Sequence, residues 1–334
     1  TIRDNWVLGL PIIALAVMFY LWHSRGRDPE GRGTIVAQYD APDGLSPAEV
    51  GTILSEDAEP KEISAEIIHL AVRGYLKIGR EESGSLIKKT DYVLTKLKNG
   101  DEKLNGFELK LLDALFGTKT AVNLSNLKNK FYEDWNKIKK DIYAAVVKKG
   151  YFAESPRTTR IIYYVVGLAA MVGFGFFNLN VFGIISSVIT GMVVIIFGHF
   201  MPARTKQGVD AKEYILGLKT YLAVAEKDRI NFHNAPQKNP QIFERLLPFA
   251  MVLGVEKAWA KQFEGIYTKP PGWYSDPTGA NFSALFLVGS LNNFSAKANS
   301  ALTAAAPAAS GGSGFGGGGF SGGVGVAEDS GDVG

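Results

Sequence analysis

Lys128, Lys130, Lys137, Lys139, Lys140, Lys148 and Lys149 stand close together, opposed in the same stretch only by Glu133, Asp134 and Asp141. Ammonium groups at that density suit contact with phosphate, whether the phosphates belong to nucleic acid or to anionic lipid. Lys88 and Lys89 form a second basic pair upstream, and Arg204 and Lys206 a third, behind a long apolar run. Lys137, Lys139, Lys140, Lys148, Lys149, Arg204 and Lys206 are therefore the candidate contacts to an anionic surface. Arginine is scarce around the lysine stretch, where reading of base edges would use bidentate guanidinium groups.

Other candidate chemistry is thin. Glu226, Lys227, Asp228 and Arg229 offer acid and base side by side, but four consecutive helical residues point around most of the circumference and cannot converge on one substrate. His23, His69, His199 and His233 stand far apart with no metal-ligand spacing between them, and cysteine is absent. His69, with Ile68 and Val72 as neighbours, is expected to be a partly buried helix residue, and His199 to face headgroups at a membrane boundary. Glycines 314–319 lack the Lys and Ser/Thr that complete a phosphate-cradling loop. No catalytic residue, cofactor or metal is expected. The net charge of +3, from 36 Lys and Arg against 33 acids, indicates neither a strongly basic nucleic-acid binder nor an acidic solvating chain.

The elements that must position these groups are organised around residues 161–200, which contain no Asp, Glu, Lys or Arg. An apolar helix crosses the ~30 Å hydrocarbon core in about 20 residues. Division at 178–180 predicts two crossings joined by a polar turn. Residues 6–22 form another uncharged run with a tryptophan at each end, so 1–22 is expected to be a first crossing. The fold class predicted is an α-helical integral membrane protein with three transmembrane helices. Arg25, Arg27, Arg32, Arg157, Arg160, Arg204 and Lys206 flank the runs on one side, which places the amino end outside and the carboxyl end in the cytoplasm of a bacterial inner membrane. Gly183, Ser187 and Gly191 at four-residue steps, with Ala169 and Gly173 as a matching patch, predict a close helix-packing seam within the hairpin, with a homo-oligomer contact as the alternative. The absence of ionisable side chains within the crossings argues against an ion-coupled transporter.

Residues 23–160 hold 23 Lys and Arg against 21 Asp and Glu, and are long enough for a folded domain. An extended leader ends at Ser46, Pro47, Ala48 and Glu49, a capping box that starts a helix. A helix from Pro60 ends near Gly74, and strand-like runs at 75–78 and 91–97 follow as a hairpin. Asn105 to Glu108 cap a further helix, and Phe131, Trp135, Ile138, Ile142 and Val146 mark a longer one. Helix, helix, hairpin is the order of a winged helix, and its loose recurrence predicts a cytoplasmic α+β tandem winged-helix-like domain. A small cytoplasmic helical domain is expected over 201–280, its helix from Asn239 and Pro240 interrupted by Pro248 and Gly254. Residues 281–300 are expected on the membrane surface or docked on that domain, and the glycine-rich 301–334 as a disordered tail.

Several stretches carry a resemblance: Gly26-Arg27-Asp28-Pro29, residues 39–49, Leu70-Ala71-Val72-Arg73-Gly74-Tyr75-Leu76, Met201-Pro202-Ala203-Arg204-Thr205, residues 225–229 and residues 243–255. Together they resemble the YciQ-like predicted membrane proteins of bacteria, a domain of unknown function numbered 2207. The resemblance covers about residues 20–280. It implies an envelope setting and an extracytoplasmic domain ahead of the first residue, in keeping with a chain that starts at Thr1; it implies no activity.

The expected function is a scaffold or signalling protein that presents docking modules to unidentified protein partners beside the lipid bilayer, with anionic lipid as a further contact. A membrane-tethered winged-helix regulator of nucleic acid and a transporter or enzyme subunit stand as alternatives.

Overall fold

The computed structural model describes residues 6–83, 89–177, 181–224, 238–277 and 281–304. The turn at 178–180, Lys88, the side chain of Lys89, the charged run at 226–229, His233 and the tail beyond 304, with glycines 314–319, lie outside the described residues. The chain opens with a 3-10 turn at Trp6–Gly9, the helix α1 at Leu10–Leu21 and a π turn at Trp22–Gly26. After the extended leader, Ser46 and Glu49 form the expected capping box, and α2 runs Pro47–Ser55. Its C-cap, Glu56, sits in the left-handed region at φ 59°.

The helix α3 follows at Pro60–Val72 and is buried on nearly every face. The hairpin of β1 (Leu76–Ser83) and β2 (Lys89–Lys96) pairs in register from Leu76↔Lys96 to Ser83↔Lys89. Leu76, Ile78, Tyr92 and Leu94 face the core, as the period of two requires. A second capping box, Asn105 with Glu108, opens α4 (Gly106–Phe116). Then β3 (Ala121–Asn123) joins β2, and α5 (Tyr132–Lys148) buries Trp135, Ile138, Ile142 and Val146 at helical spacing.

Two long apolar helices come next, α6 (Pro156–Phe177) and α7 (Val181–His199), packed against each other, with α1 against α7. The chain then returns to the body through α8 (Lys206–Ala223), α9 (Pro240–Leu253), α10 (Glu256–Lys261), β4 (Tyr274–Ser275) and α11 (Ala284–Thr303). Pro248 lies inside α9 without ending it, and Gly254 at φ 70° supplies the stop. The segment expected at 281–300 is α11, docked through Leu287, Val288, Leu291 and Phe294.

Two expectations are corrected. Among the described residues one helix, α7, is long and apolar enough to cross a membrane, so three transmembrane helices are not supported. The helix α1 has 12 residues, a rise of about 18 Å against a ~30 Å hydrocarbon core. In α6 the first turns carry Arg157 and Arg160, which shorten its uncharged part. The tandem winged-helix arrangement is also replaced. The second unit builds no sheet of its own: β3 extends the first hairpin and β4 adds a parallel strand, giving one mixed sheet in the order β3-β2-β1-β4. Buried side chains from Leu45 to Leu302 share one hydrophobic cluster, in which Ile67 and Ile142 lie together with Leu218, Phe243 and Phe294.

Candidate functional site

The feature that organises the surface is the distribution of apolar side chains. Among the described residues, the large hydrophobic side chains left exposed on the folded body are few and scattered, such as Leu97, Leu109 and Ile266. On the three apolar helices they are continuous: Ile12, Ile13 and Tyr20 on α1, Val165, Leu168 and Val172 on α6, and Val181, Phe182, Met192 and Ile196 on α7. An apolar surface of that extent is unstable in water and matches a lipid environment.

Within this bundle the close approach is between α6 and α7 at Gly167 and Gly191. A Cβ on Gly191 would lie 2.5 Å from the Gly167 carbonyl oxygen, and one on Gly167 would lie 2.9 Å from the Gly191 oxygen, so the backbones touch there. Of the residues singled out for helix packing, Gly183, Ser187 and Gly191 are buried along α7. Ala169 is exposed, and a Cβ on Gly173 would meet nothing within 4 Å.

Where the bundle meets the body, the chain leaves and returns at one place. Thr205 caps α8 by accepting from the Gly208 N–H at 3.0 Å, while its own N–H donates to the Tyr151 carbonyl at 3.0 Å and its hydroxyl to the Gly150 carbonyl at 2.5 Å. Gly208 is required at this crossing, since a Cβ would stand 2.0 Å from the Tyr151 oxygen. Phe152 and Arg204 complete the seam as an isolated β-bridge.

Arg204 is the centre of this junction. Only 4% exposed, it donates through Nε to the Ile53 carbonyl at 2.7 Å and through Nη2 to the Leu54 carbonyl at 2.8 Å, which satisfies two orphan acceptors at the end of α2. Its Nη1 reaches Asp28 Oδ2 at 2.8 Å and Glu56 Oε1 at 2.6 Å, and its backbone N–H donates to Asp28 Oδ1 at 2.8 Å. Arg160, at the start of α6, holds the other Glu56 oxygen at 3.1 Å and the Glu56 carbonyl at 2.8 Å. One acid at a left-handed helix cap thus gathers cations from both ends of the α6–α7 hairpin. Burial opposes ionisation of Asp28, but the Arg204 backbone hydrogen bond and the charges of Arg204 and Lys212 outweigh it and hold the carboxyl below its usual 3.8.

The lysines picked out for an anionic surface are divided by the fold. Lys139 pairs with Asp57 at 3.0 Å, in an open cleft of about 400 Å³ that Arg157, Arg160, Tyr164 and His199 also line at the base of the hairpin. Lys206 donates to the Glu30 carbonyl at 2.5 Å. Lys149 is drawn inward to Glu49 at 2.6 Å, and Lys137 pairs with Asp134 at 3.1 Å in a wider cleft between α4 and α5, where Asp113 and Asp134 offset its lysines. Lys140 and Lys148 are exposed on α5.

A second constellation lies inside the body. Glu66 and His69 stand three residues apart on α3, hence on one face, and Glu108 reaches them from α4. Each offers one ligand atom, and those atoms lie within 4.8 Å of one another. Arg73 Nη1 holds Glu108 Oε1 at 2.7 Å, and the Asn105 N–H donates to Oε2. Glu66 Oε2 accepts from the Ala48 N–H at 3.0 Å, while His69 Nδ1 is buried with no hydrogen-bond partner. Burial and then the neighbouring Glu108 carboxylate push the Glu66 carboxyl well above its usual value. His69 also stands edge-on to Phe249, with ring centroids 5.7 Å apart. The sequence signal for this group was the acid at positions 62 and 66 and the histidine at 69, on the helical spacing otherwise used by apolar residues.

The segments that carry the sequence resemblance meet in space. Arg204 from one binds Asp28 from another, and Arg245 from a third pairs with Asp40 from a fourth. A family model described as the predicted membrane protein (DUF2207) C-terminal domain matches residues 34–263. The chain belongs to this family. The matched span of this DUF2207 protein takes in α2 through α10, with the apolar hairpin and Arg204 inside it and α1 and α11 outside. No curated protein and no solved structure matches the chain.

Proposed function

We propose that this DUF2207 protein is a membrane-anchored docking platform, in which the α6–α7 hairpin sinks into the bilayer and holds the helical and β-sheet body against the membrane face at a fixed attitude. The observation that carries this reading is the Arg204 junction. It ties the segment after α1, the C-terminus of α2 and the chain leaving α7 into one hydrogen-bonded knot beneath an apolar surface. A platform of this kind transmits position: a partner bound to the body is kept at a set distance and orientation from lipid.

The body lies on the cytoplasmic side in this reading, because Arg25, Arg27, Arg157, Arg160 and Arg204 cluster at its end of the bundle. The cleft lined by Lys139, Arg157, Arg160 and His199 favours anionic headgroups there. Protein partners occupy the body surface. Nucleic acid is disfavoured, since the lysines expected to line up along α5 are divided by the fold: Lys149 turns inward to Glu49, Lys139 faces the base of the hairpin, and Asp113 and Asp134 share the cleft that holds Lys137.

The test is a crosslinked pull-down of the full protein from its own membranes, with and without nuclease, beside an Arg204→Met variant. The same protein partners with and without nuclease, and their loss in the variant while it remains in the membrane fraction, support the platform. Partners that vanish with nuclease, or that are retained in full by Arg204→Met, overturn it.

A further inference from the structure

We propose that Glu66, His69 and Glu108 form a binding site for a single divalent transition-metal ion of the zinc class. The ligand set comes from two helices. The i, i+3 spacing of Glu66 and His69 sends both side chains to one side of α3, and Glu108 closes the third position from the first turn of α4. Their ligand atoms lie within 4.8 Å of one another, close enough for one ion to touch all three.

Two independent observations point to a ligand. Glu66 has no exposed surface, and its carboxyl abuts the Glu108 carboxylate, an arrangement that needs a positive charge or a shared proton between the two. His69 Nδ1 is buried and unpartnered. An ion held by the three side chains supplies the charge between the carboxylates and gives the imidazole a partner. The surrounding bonds also do what outer partners of metal ligands do: Arg73 and the Asn105 N–H fix the Glu108 carboxylate, and the Ala48 N–H fixes Glu66 from its other oxygen.

The donor set selects the class of ion. One imidazole with two carboxylates suits zinc, iron(II) or manganese(II); it is too poor in oxygen for calcium and lacks the sulfur that copper(I) prefers. Two carboxylates balance a dication. The adjacent Arg73 guanidinium is the opposing charge, and it is part-exposed, so water screens it on its outer side. The site would clasp α3 to α4 and, through Ala48, to α2.

The experiment uses the full chain in detergent micelles, stripped with chelator, and titrates zinc chloride by calorimetry, with calcium chloride as the control. One saturable zinc site and no calcium site are expected. Loss of an outer hydrogen-bond partner costs roughly 10–100-fold in affinity, so loss of a direct ligand in Glu66→Gln or His69→Gln is expected to weaken zinc by more than about 100-fold. Glu62→Gln, also buried on α3 but outside the triad, should bind as the wild type does. Cobalt(II) bound to the unmutated chain gives a reading independent of any variant: intense visible bands of an enclosed low-coordinate ion are expected. Absence of saturable zinc binding, binding that survives Glu66→Gln and His69→Gln, or a cobalt spectrum of the hydrated ion overturns the proposal.

Discussion

Replacing Arg204 by methionine keeps the length of the side chain and removes the charge. In the wild type the guanidinium is almost wholly buried, and it donates four hydrogen bonds, to the Ile53 and Leu54 carbonyls and to Asp28 and Glu56. Lys212, 3.3 Å from Asp28, and Arg160, 3.1 Å from Glu56, remain as counter-charges when Arg204 is removed, but two carbonyl oxygens at the end of α2 lose their donors. Removing one member of a buried ion pair costs about 3–5 kcal/mol, and the remaining cations place Arg204→Met near the lower figure, about 3 kcal/mol. Urea unfolding of the full chain in detergent, followed by fluorescence of the buried Trp135, Trp259 and Trp273, measures the loss. The pH dependence supplies a second signature. The Asp28 pKa is depressed in the fold, so its contribution is complete above the unfolded value of 3.8 and is lost as pH falls through the lower folded value. The gap between wild type and Arg204→Met should therefore narrow on acidification below 3.8. A loss under about 1 kcal/mol, the range of an exposed pair, or a gap that widens in acid, would refute the argument that Arg204 holds the junction.

Three further outcomes follow from other parts of the fold. Burial, only partly countered by Lys61 at 3.9 Å, raises the Glu62 carboxyl from 4.5 to about 8. Protons stay on the folded form over that window, so stability falls as pH rises from 4.5 to about 8. At 1.36 kcal/mol per unit the fall is at most about 5 kcal/mol, and Glu62→Gln should remove it, matching the wild type at low pH and exceeding it at high pH in denaturant titrations. Gly191→Val should lower the melting temperature in detergent by an amount equivalent to about 1–3 kcal/mol, because its Cβ meets the Gly167 oxygen, whereas Gly173→Ala should leave it unchanged; equal effects would place the helix contact elsewhere. Because the chain has no cysteine, Lys148→Cys gives a single thiol on the body, expected to react with an impermeant maleimide in inverted membrane vesicles and to be protected in intact cells; labelling in intact cells would reverse the orientation.

What the sequence disclosed was local. The two capping boxes at Ser46 and Asn105, the helix start at Asn239 and the stop at Gly254 were legible because each is decided by hydrogen bonds or φ values within a few residues. The apolar hairpin was legible from composition. Its count of crossings was not, because composition fixes the number of apolar residues and not their winding: residues 6–26 divide into 3-10, α and π turns, and α6 takes Arg157 and Arg160 into its first turns. The pairing of β1 with β4 joins Ile78 to Tyr274 across most of the chain, beyond the reach of any periodicity. The candidate metal ligands were hidden for a related reason. Glu108 was fully explained as a capping residue, and its approach to Glu66 depends on how α3 and α4 pack. Arg204 and Asp28 both stand within short recognisable stretches, but 176 residues separate them and only the fold makes them partners.

The seam that binds 150–152 to 204–208 has a consequence for how the protein is made. Val146 and Phe152, synthesised before the hairpin, share one cluster with Leu218, Phe243 and Phe294, synthesised after it. A ribosome delivers the apolar helices while the first half of the body still lacks the side chains that close over it. The body therefore cannot close until the residues after the hairpin have been made, and the nascent α2 to α5 segment waits as an open half-core. Any factor that shields this segment during synthesis must release it before Arg204 can reach the end of α2.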